Sequence, residues 1–170
     1  MNRYTVLSKI VIVQRVASNS SPTKRVVALG ASNTAGYGVG AEYAYPKCIA
    51  MLLRQREIDI EVINSGVSGN TTSEMLARLD RDVPAGTNVV LFQPGSNDDR
   101  RGIPVTVKEG NIATITERLR QRDIVVIRVA AAFEAVRPGN LQPDGIHYTK
   151  VGHALIARLL VDEVAKALGF

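Results

Sequence analysis

The sequence predicts a single α/β domain of three layers, in which a parallel sheet lies between two layers of helices. Four short segments rich in β-branched residues alternate along the chain with segments of helical periodicity. Each of these four apolar runs is continuous, which is typical of strands that helices cover on both faces. Because crossovers between parallel strands are right-handed, this alternation favours one sheet with helices on each side.

The four predicted strands are RVVALG, IEVINSG, NVVLFQPG and DIVVIRVA, in this order along the chain. Helical patterns follow at residues 44–57, 72–80, 107–122 and 149–168. In the third helix, Ile112, Ile115 and Leu119 recur at helical spacing and are predicted to face the core. In the last helix we expect an apolar stripe on the core, with His153 on the outward face; the stripe consists of Val151, Leu155, Ile156 and Leu159.

Composition excludes several classes of protein. The chain has 170 residues, of which 45% are hydrophobic and 22% charged, and no apolar segment is long enough for an integral membrane segment. The net charge of +5 is dispersed, and aromatic residues make up only 5%, so we expect no nucleic-acid partner. With one cysteine and two histidines, the sequence predicts no metal site, and we expect no cofactor.

The first 23 residues are predicted to form an N-terminal arm and linker, separate from a domain at 24–170. The apolar segment at 9–17 is rich in β-branched residues, and the turn-rich SNSSPTK follows it. This arm could cover a sheet edge in its own subunit or in a neighbouring one, which would give a homo-oligomer, or it could be a disordered or degraded export signal. Because Lys9 and Arg15 interrupt the apolar segment, we expect a cytoplasmic protein, with export as the alternative.

Ligands of open α/β sheets bind beyond the carboxyl ends of the strands, so the residues that follow each strand are the candidates for a site. Ser32 follows the first strand in LGASNTAGYGVG. This glycine-rich stretch lacks the spacing of either nucleotide-binding loop, since no lysine follows Gly36. It also differs from the G-x-S-x-G elbow, because Thr34 stands where the second glycine belongs.

Three further segments follow the other strands. Gly69 and Asn97 are turn formers in one interpretation and donors to an oxyanion in another. Asp144 and His147, in PDGIHYT, are either a helix cap and a surface imidazole, or a pair in which the carboxylate orients the imidazole.

Together these four segments resemble the SGNH hydrolases, also called the GDSL esterase and lipase family. The resemblance extends from Gly30 to His147 through LGASNTAGYG, NSGVSGNTT, PGSND and DGIH. It implies the flavodoxin-like α/β/α fold of that family, with Ser32 as nucleophile, His147 as base and Asp144 as the residue that orients it. The backbone of Ser32 and Gly69 and the side chain of Asn97 would then form the oxyanion hole.

The activity implied by the resemblance is that of a serine esterase acting on a small-molecule ester with a short acyl chain. Lysophospholipids, thioesters and acetylated carbohydrates are alternative substrates of the same machinery, and a catalytically silent binding module is an alternative of another class. The family's usual acidic residue before the nucleophile is Ala31 here, and the usual leucine after it is Asn33. Only 47 positions separate Asn97 from Asp144, so we expect four core strands, a link that runs along the sheet edge and an open site.

The remaining polar residues near these segments have structural interpretations. We expect Cys48 to be a buried helix residue, Asp98 to brace its loop, and Ser68 and Ser96 to form turns. Arg100 and Arg101 are predicted to be a solvated basic patch, with an anionic substrate group as the alternative ligand. Ser32 itself is expected in an exposed turn.

Overall fold

The computed structural model describes residues 23–170. The predicted arm, with its apolar segment at 9–17, lies outside the described residues. Among the described residues, four parallel strands form one sheet in the order β2-β1-β3-β4: β1 (Arg25–Gly30), β2 (Glu61–Gly66), β3 (Val89–Phe92) and β4 (Val125–Arg128). Within residues 23–170, this is the flavodoxin-like strand order without its fifth strand, as the short link before Asp144 predicted.

Helices pack on both faces of the sheet, which confirms the three-layer prediction. They are α1 (Ser32–Ala35), α2 (Tyr45–Gln55), α3 (Thr72–Ala77), α4 (Leu79–Asp82), α5 (Asn97–Arg100), α6 (Val105–Arg120), α7 (Ala130–Val136) and α8 (Lys150–Leu168). Alternate residues of β1 point into two separate cores. Val26 packs with α2, α7 and α8, and Val27 packs with α3, α4 and α6.

Burial differs between the central and the edge strands. Every residue of β3 is buried, as are all residues of β1 after Arg25. The edge strands β2 and β4 are partly exposed, and Val125 on β4 is 46% exposed. The expectation that all four runs are covered on both faces is therefore wrong for β2 and β4, because in the part of the chain that the structure describes each has a neighbouring strand on one side only.

The predicted stripe of the last helix is confirmed in part, because Ile156 is buried and Leu155 packs partly buried against the core. Val151 and Leu159 are 63% and 55% exposed, whereas Gly152 and His153 face the core. The prediction is wrong for Val151 and Leu159 because the buried face of α8 runs through Gly152, Ile156, Leu160 and Val164, at four-residue spacing. Gly152 lies so close to the carbonyl oxygen of Asn140 that a side chain there would crowd it. In α6 the predicted core residues are buried as expected; they are Ile112, Ile115 and Leu119.

The link between β4 and Asp144 contains a helix, α7, that sequence reasoning treated as a simple connection. Its buried residues include Phe133 and Val136, which join the core formed with α2 and α8. The apolar side chains at helical spacing therefore have a packing role. The helix brings the chain back toward the carboxyl edge of the sheet, where the segment that contains His147 begins.

Gly66 permits the close packing that positions α1. A Cβ atom at this last residue of β2 would overlap the backbone nitrogen of Ala35, at the end of α1. Because backbone atoms cannot move aside as a flexible side chain can, only glycine is compatible with this contact.

Within residues 23–170, no helix combines the length and the apolar composition that a membrane crossing requires.

Candidate active site

Ser32 lies at the point where the strand order reverses. Strands β1 and β3 are neighbours, yet their crossover connections lead to opposite faces of the sheet, and a crevice of this kind is where α/β sheets bind ligands. Ser32 is the first residue of α1, two positions beyond the end of β1. The residue is only 7% exposed, so the expectation of an exposed turn is wrong. Its surroundings are the segments that follow β1 and precede α8.

Three of the predicted residues are connected by hydrogen bonds. The Ser32 Oγ atom lies 3.0 Å from His147 Nε2, and His147 Nδ1 lies 2.6 Å from Asp144 Oδ2. A carboxylate only accepts hydrogen bonds, so the Asp144 contact requires the ring proton on Nδ1 of neutral His147. Nε2 is then left free to accept the hydroxyl proton of Ser32.

Asp144 is held in its ionised form by neighbouring donors. Its Oδ1 atom accepts hydrogen bonds from the backbone N–H groups of Ile146 and His147, at 2.9 and 3.0 Å. The His147 backbone N–H, the His147 ring and the Ile146 backbone N–H lower the pKa of Asp144 to about 2. The carboxylate is therefore negative at neutral pH.

The segment that contains His147 is anchored by Tyr148. Tyr148 is 2% exposed, and its hydroxyl donates a 2.6 Å hydrogen bond to the carbonyl of Phe133 on α7. Leu141 and Tyr148 form an isolated antiparallel bridge, and Gln142 donates from its side-chain amide to the carbonyl of Tyr148 at 2.9 Å. These contacts build a compact loop between α7 and α8.

Tyr37 covers one side of the imidazole, a contact that sequence reasoning missed. The centroids of the Tyr37 and His147 rings are 4.4 Å apart with a 34° angle between the ring planes. Tyr37 is 53% exposed, so its ring shields His147 while facing solvent itself. No periodicity or motif spacing marked Tyr37, because the contact joins positions 110 residues apart.

The Asn97 amide is oriented by two hydrogen bonds. Its Nδ2 atom donates to the carbonyl of Asn70 at 2.7 Å, and its Oδ1 atom accepts from Arg100 Nη2 at 2.6 Å. One Nδ2 hydrogen is left for a ligand. Both Asn97 Nδ2 and the Cβ atom of Ala31 lie within 3.5 Å of the place that a Cβ of Gly95 would occupy, so the amide is beside the Ser32 turn.

Gly69 lies in the turn that follows β2 and has a φ of +82°, in the left-handed region that favours glycine. The turn is closed by the N–H of Asn70, which donates to the carbonyl of Val67 at 3.1 Å. The Gly69 carbonyl accepts from Arg101 Nη2 at 2.8 Å, whereas its N–H has no hydrogen-bond partner in the described part of the chain. That N–H is available to a ligand, like the N–H at the start of α1.

Asp98 belongs to the scaffold rather than to the hydrogen-bonded triad. It is fully buried, and its carboxylate accepts hydrogen bonds from the backbone N–H and the hydroxyl of Thr72, the first residue of α3. This contact braces the segment after β3 against the segment after β2. It therefore maintains the distance between the elements that bear Asn97 and Gly69.

Several other candidates lie apart from the triad. Cys48 is on α2, partly buried, and burial raises the pKa of its thiol, which disfavours a reactive thiolate. Ser68 and Ser96 are exposed. His153 is fully buried under Tyr45 instead of facing outward, so that prediction was wrong. Within residues 23–170, no three His, Cys, Asp or Glu side chains are grouped to hold a metal ion.

A cavity of about 250 Å³ adjoins the triad. Asn33 and Ile146, the neighbours of Ser32 and His147 in sequence, form part of its wall. Phe133 also lines it, as do two cationic side chains, Arg100 and Arg137, with Glu134, Ser96, Pro94 and other residues. Arg100 therefore contacts both this cavity and the Asn97 amide, while Arg101 binds the Gly69 carbonyl.

Residues 28–145 match the GDSL-like lipase/acylhydrolase family. An arylesterase of Vibrio mimicus is 30% identical over 122 residues, which cover 71% of this chain and 61% of that relative. The esterase TesA of Pseudomonas aeruginosa is 24% identical over 125 residues, or 71% of this chain and 58% of the relative. The chain thus spans about three-fifths of the length of these two curated relatives.

Solved structures share the fold. TesA has a TM-score of 0.73 at 22% identity and covers 85% of this chain and 100% of its own. The psychrotrophic esterase EstA from Pseudoalteromonas sp. has a TM-score of 0.75 at 21% identity and covers 86% and 100%. The SGNH-hydrolase family esterase AlinE4 has a TM-score of 0.63 at 26% identity and covers 89% and 100%. This chain is a member of the GDSL-like lipase/acylhydrolase family, with the SGNH-hydrolase fold.

Proposed function

We propose that this protein is a serine esterase in which Ser32 is the nucleophile and His147 the general base. Asp144 orients the imidazole and stabilises its protonated form. The observation that carries the proposal is the hydrogen-bonded series from Ser32 Oγ through the two ring nitrogens of His147 to the Asp144 carboxylate. The names of the relatives, an arylesterase and an esterase, support the same reaction class.

In the acylation step, Ser32 Oγ attacks the ester carbonyl carbon while His147 Nε2 takes the hydroxyl proton. The tetrahedral intermediate collapses, the bond to the alcohol oxygen breaks, and His147 returns the proton to the leaving alcohol. A water molecule then attacks the acyl group on Ser32 with His147 again as base, which releases the carboxylic acid and restores the hydroxyl. The negative Asp144 stabilises the imidazolium in both steps.

The oxyanion of each intermediate needs hydrogen-bond donors. We assign this role to the backbone N–H groups of Ser32 and Gly69 and to the free Nδ2 hydrogen of Asn97. Arg100 supports the assignment, because its guanidinium binds Asn97 Oδ1 and draws electron density from the amide. A charge-assisted bond of this kind makes the remaining N–H a stronger donor.

We infer a preference for short acyl chains. The cavity beside the triad, at about 250 Å³, is smaller than the roughly 300–1,000 Å³ of typical ligand pockets. Charged side chains make part of its wall, and within residues 23–170 the sheet has no fifth strand to extend it. A longer tail would gain little from burial, since each CH₂ group contributes about 0.8 kcal/mol only when it leaves water.

A series of p-nitrophenyl esters from acetyl to dodecanoyl tests this function, with Ser32→Ala as the control for uncatalysed and contaminating hydrolysis. We expect kcat/KM to be highest for acetyl and butyryl esters and to be absent in the Ser32→Ala protein. A steady rise of kcat/KM up to the dodecanoyl ester would contradict the short-chain preference. Equal hydrolysis by the wild type and Ser32→Ala would contradict the esterase itself and favour a silent binding module.

A further inference from the structure

Asn33 makes two hydrogen bonds to the segment that contains His147. Its Nδ2 atom donates to the carbonyl of Ile146 at 3.3 Å, and its Oδ1 atom accepts from the backbone N–H of Tyr148 at 3.1 Å. Ile146 and Tyr148 are the residues on either side of His147. One amide side chain therefore binds the backbone on both sides of the imidazole-bearing residue.

The Asn33 amide binds the loop as a neighbouring β-strand would bind an extended segment. It offers one donor to the Ile146 carbonyl and one acceptor to the Tyr148 N–H. Because the acceptor must face the Tyr148 N–H and the donor must face the Ile146 carbonyl, the amide has a single satisfied orientation. A leucine at this position, the residue usual in the family, offers neither group. The bonds therefore depend on the asparagine that distinguishes this chain.

The support is direct because Asn33 follows Ser32 within α1. That helix is short, and its packing against β2 is tight at Gly66. Ser32, which presents the hydroxyl, and Asn33, which binds the backbone on both sides of His147, are thus consecutive in sequence. Ser32 and His147 are 115 positions apart, and Asn33 connects their two segments.

Within residues 23–170, the other hydrogen bond between this loop and α1 is the Ser32–His147 contact itself. The loop is joined to itself and to α7 through Leu141, Tyr148 and Phe133. The side-chain amide of Gln142 also donates a 3.0 Å hydrogen bond to the carbonyl of Tyr37, which follows α1. Gln142 is five residues before His147, whereas Asn33 contacts the residues immediately before and after His147.

We propose that Asn33 is a positioning residue for this reaction, which holds His147 Nε2 at hydrogen-bond distance from Ser32 Oγ. The inference rests on the proposed esterase function. Asp144 and His147 lie on the same loop, three residues apart, so their mutual hydrogen bond does not require Asn33. Loss of Asn33 therefore weakens the Ser32–His147 contact while the Asp144–His147 pair stays intact.

The test compares Asn33→Ala and Asn33→Leu with the wild type on a p-nitrophenyl acetate substrate. Because a displacement of about 1 Å can lower the rate by about 10²-fold, we expect kcat to fall by roughly 10- to 100-fold with a smaller change in KM. The midpoint of the pH–rate profile stays at its wild-type value. Asn33→Asp keeps the acceptor for the Tyr148 N–H and loses the donor, so its kcat is intermediate.

Asn140→Ala is the matched control. The Asn140 amide donates to the carbonyls of Val136 and Pro138, within the same link but without contact to α1. We expect wild-type kcat for this variant. A similar loss of kcat in Asn140→Ala and Asn33→Ala would show that any change in the loop lowers activity, and it would overturn the specific role of Asn33.

Crystal structures of the variants separate this inference from the proposed function. The inference predicts that His147 Nε2 lies beyond hydrogen-bond distance of Ser32 Oγ in Asn33→Ala and, if that variant fails to fold, in Asn33→Asp. An unchanged Ser32–His147 distance, or wild-type kcat in Asn33→Ala, overturns it. Failure of the wild type to hydrolyse any ester refutes the function instead, and the Ser32–His147 distance in the variant still decides the role of Asn33.

Discussion

At the scale of single residues, the Asn97 amide has one orientation because Asn70 and Arg100 occupy its two ends. We expect Asn97→Ala to lower kcat by roughly 10²- to 10³-fold, or about 3 kcal/mol, with a smaller change in KM, because the lost donor acts on charge that develops in the transition state. Steady-state kinetics on acetyl esters measures both parameters. A loss confined to KM would place Asn97 in ground-state binding.

Arg100→Met extends this prediction to the residue behind the amide. The substitution removes the guanidinium that binds Asn97 Oδ1, so we expect a decrease in kcat smaller than that of Asn97→Ala. Arg118, which pairs with Asp80 on an exposed surface, supplies the control, and Arg118→Met is expected to retain wild-type kcat. Equal kcat for both arginine variants would refute the polarising role of Arg100.

The sequence was informative about residues whose chemistry is marked by motif spacing. Ser32, Gly69, Asn97, Asp144 and His147 could be selected because each follows a predicted strand or lies in a short motif. Their supporting contacts could not be selected in this way. The contacts of Asn33 with the His147 segment and of Tyr37 with the imidazole join positions more than 100 residues apart, and only the fold brings those positions together.

At the scale of secondary-structure elements, Gly66 and Gly110 differ in the space that surrounds them, so the same substitution to alanine should have opposite effects on stability. Gly66 ends β2 against the backbone of α1, and a Cβ there would overlap Ala35. We expect Gly66→Ala to lower the free energy of unfolding by at least about 2 kcal/mol, through overpacking against atoms that cannot move aside. Urea denaturation measures the change.

Gly110 is the control for this substitution. It lies within α6, and a Cβ at this position meets no atom within 4 Å. Gly110→Ala should therefore raise the free energy of unfolding by up to about 1 kcal/mol, since alanine is the better helix former. A destabilisation by Gly66→Ala no larger than ordinary surface substitutions produce would mean that α1 moves away from β2 without cost.

Helix α8 shows why helical periodicity alone selected two exposed residues together with buried ones. Apolar residues lie around much of the circumference of this helix, so Val151 and Leu159 continue a regular stripe with Leu155 and the buried Ile156. The close approach of Gly152 to Asn140 selects the other face, and His153 is buried with it. In α6 the polar face is continuous, and the prediction for Ile112 and its neighbours was confirmed.

At the scale of the whole molecule, burial of His153 links stability to pH. Its Nδ1 atom accepts a 3.3 Å hydrogen bond from the N–H of Tyr45, and its Nε2 atom is the only buried side-chain nitrogen or oxygen without a partner between residues 23 and 170. Desolvation, with a smaller contribution from the charge of His147, lowers the pKa of His153 from 6.5 to about 4.

The sign of the effect follows from proton binding. Between pH 6.5 and about 4, the unfolded chain binds a proton at His153 that the folded protein excludes. The free energy of unfolding therefore falls as the pH is lowered through this window, by at most about 3 kcal/mol. The depressed pKa of Asp144, about 2, acts in a lower window, where its stabilisation is lost as the pH falls from 3.8 toward 2.

His153→Asn tests this linkage, because its side-chain oxygen can accept the Tyr45 N–H without a titratable ring. We expect a weaker dependence of the free energy of unfolding on pH between 6.5 and 4 than in the wild type, measured by urea denaturation at a series of pH values. His147→Asn, measured in parallel, accounts for the contribution of the other histidine. The same slope in His153→Asn and the wild type would contradict the exclusion of the proton from the core.

The strand order connects these scales, since it places the ends of β1 and β3 side by side and leaves α7 and its loop to bring His147 to Ser32. The claim that depends most on this arrangement is that Ser32 is an activated nucleophile. Reaction of the whole protein with a fluorophosphonate, followed by mass spectrometry of its peptides, tests that claim most directly. We expect a single labelled peptide that contains Ser32, with no labelling in Ser32→Ala and slow labelling in His147→Ala. Label on Ser68 or Ser96, or an unlabelled wild-type protein, would contradict it.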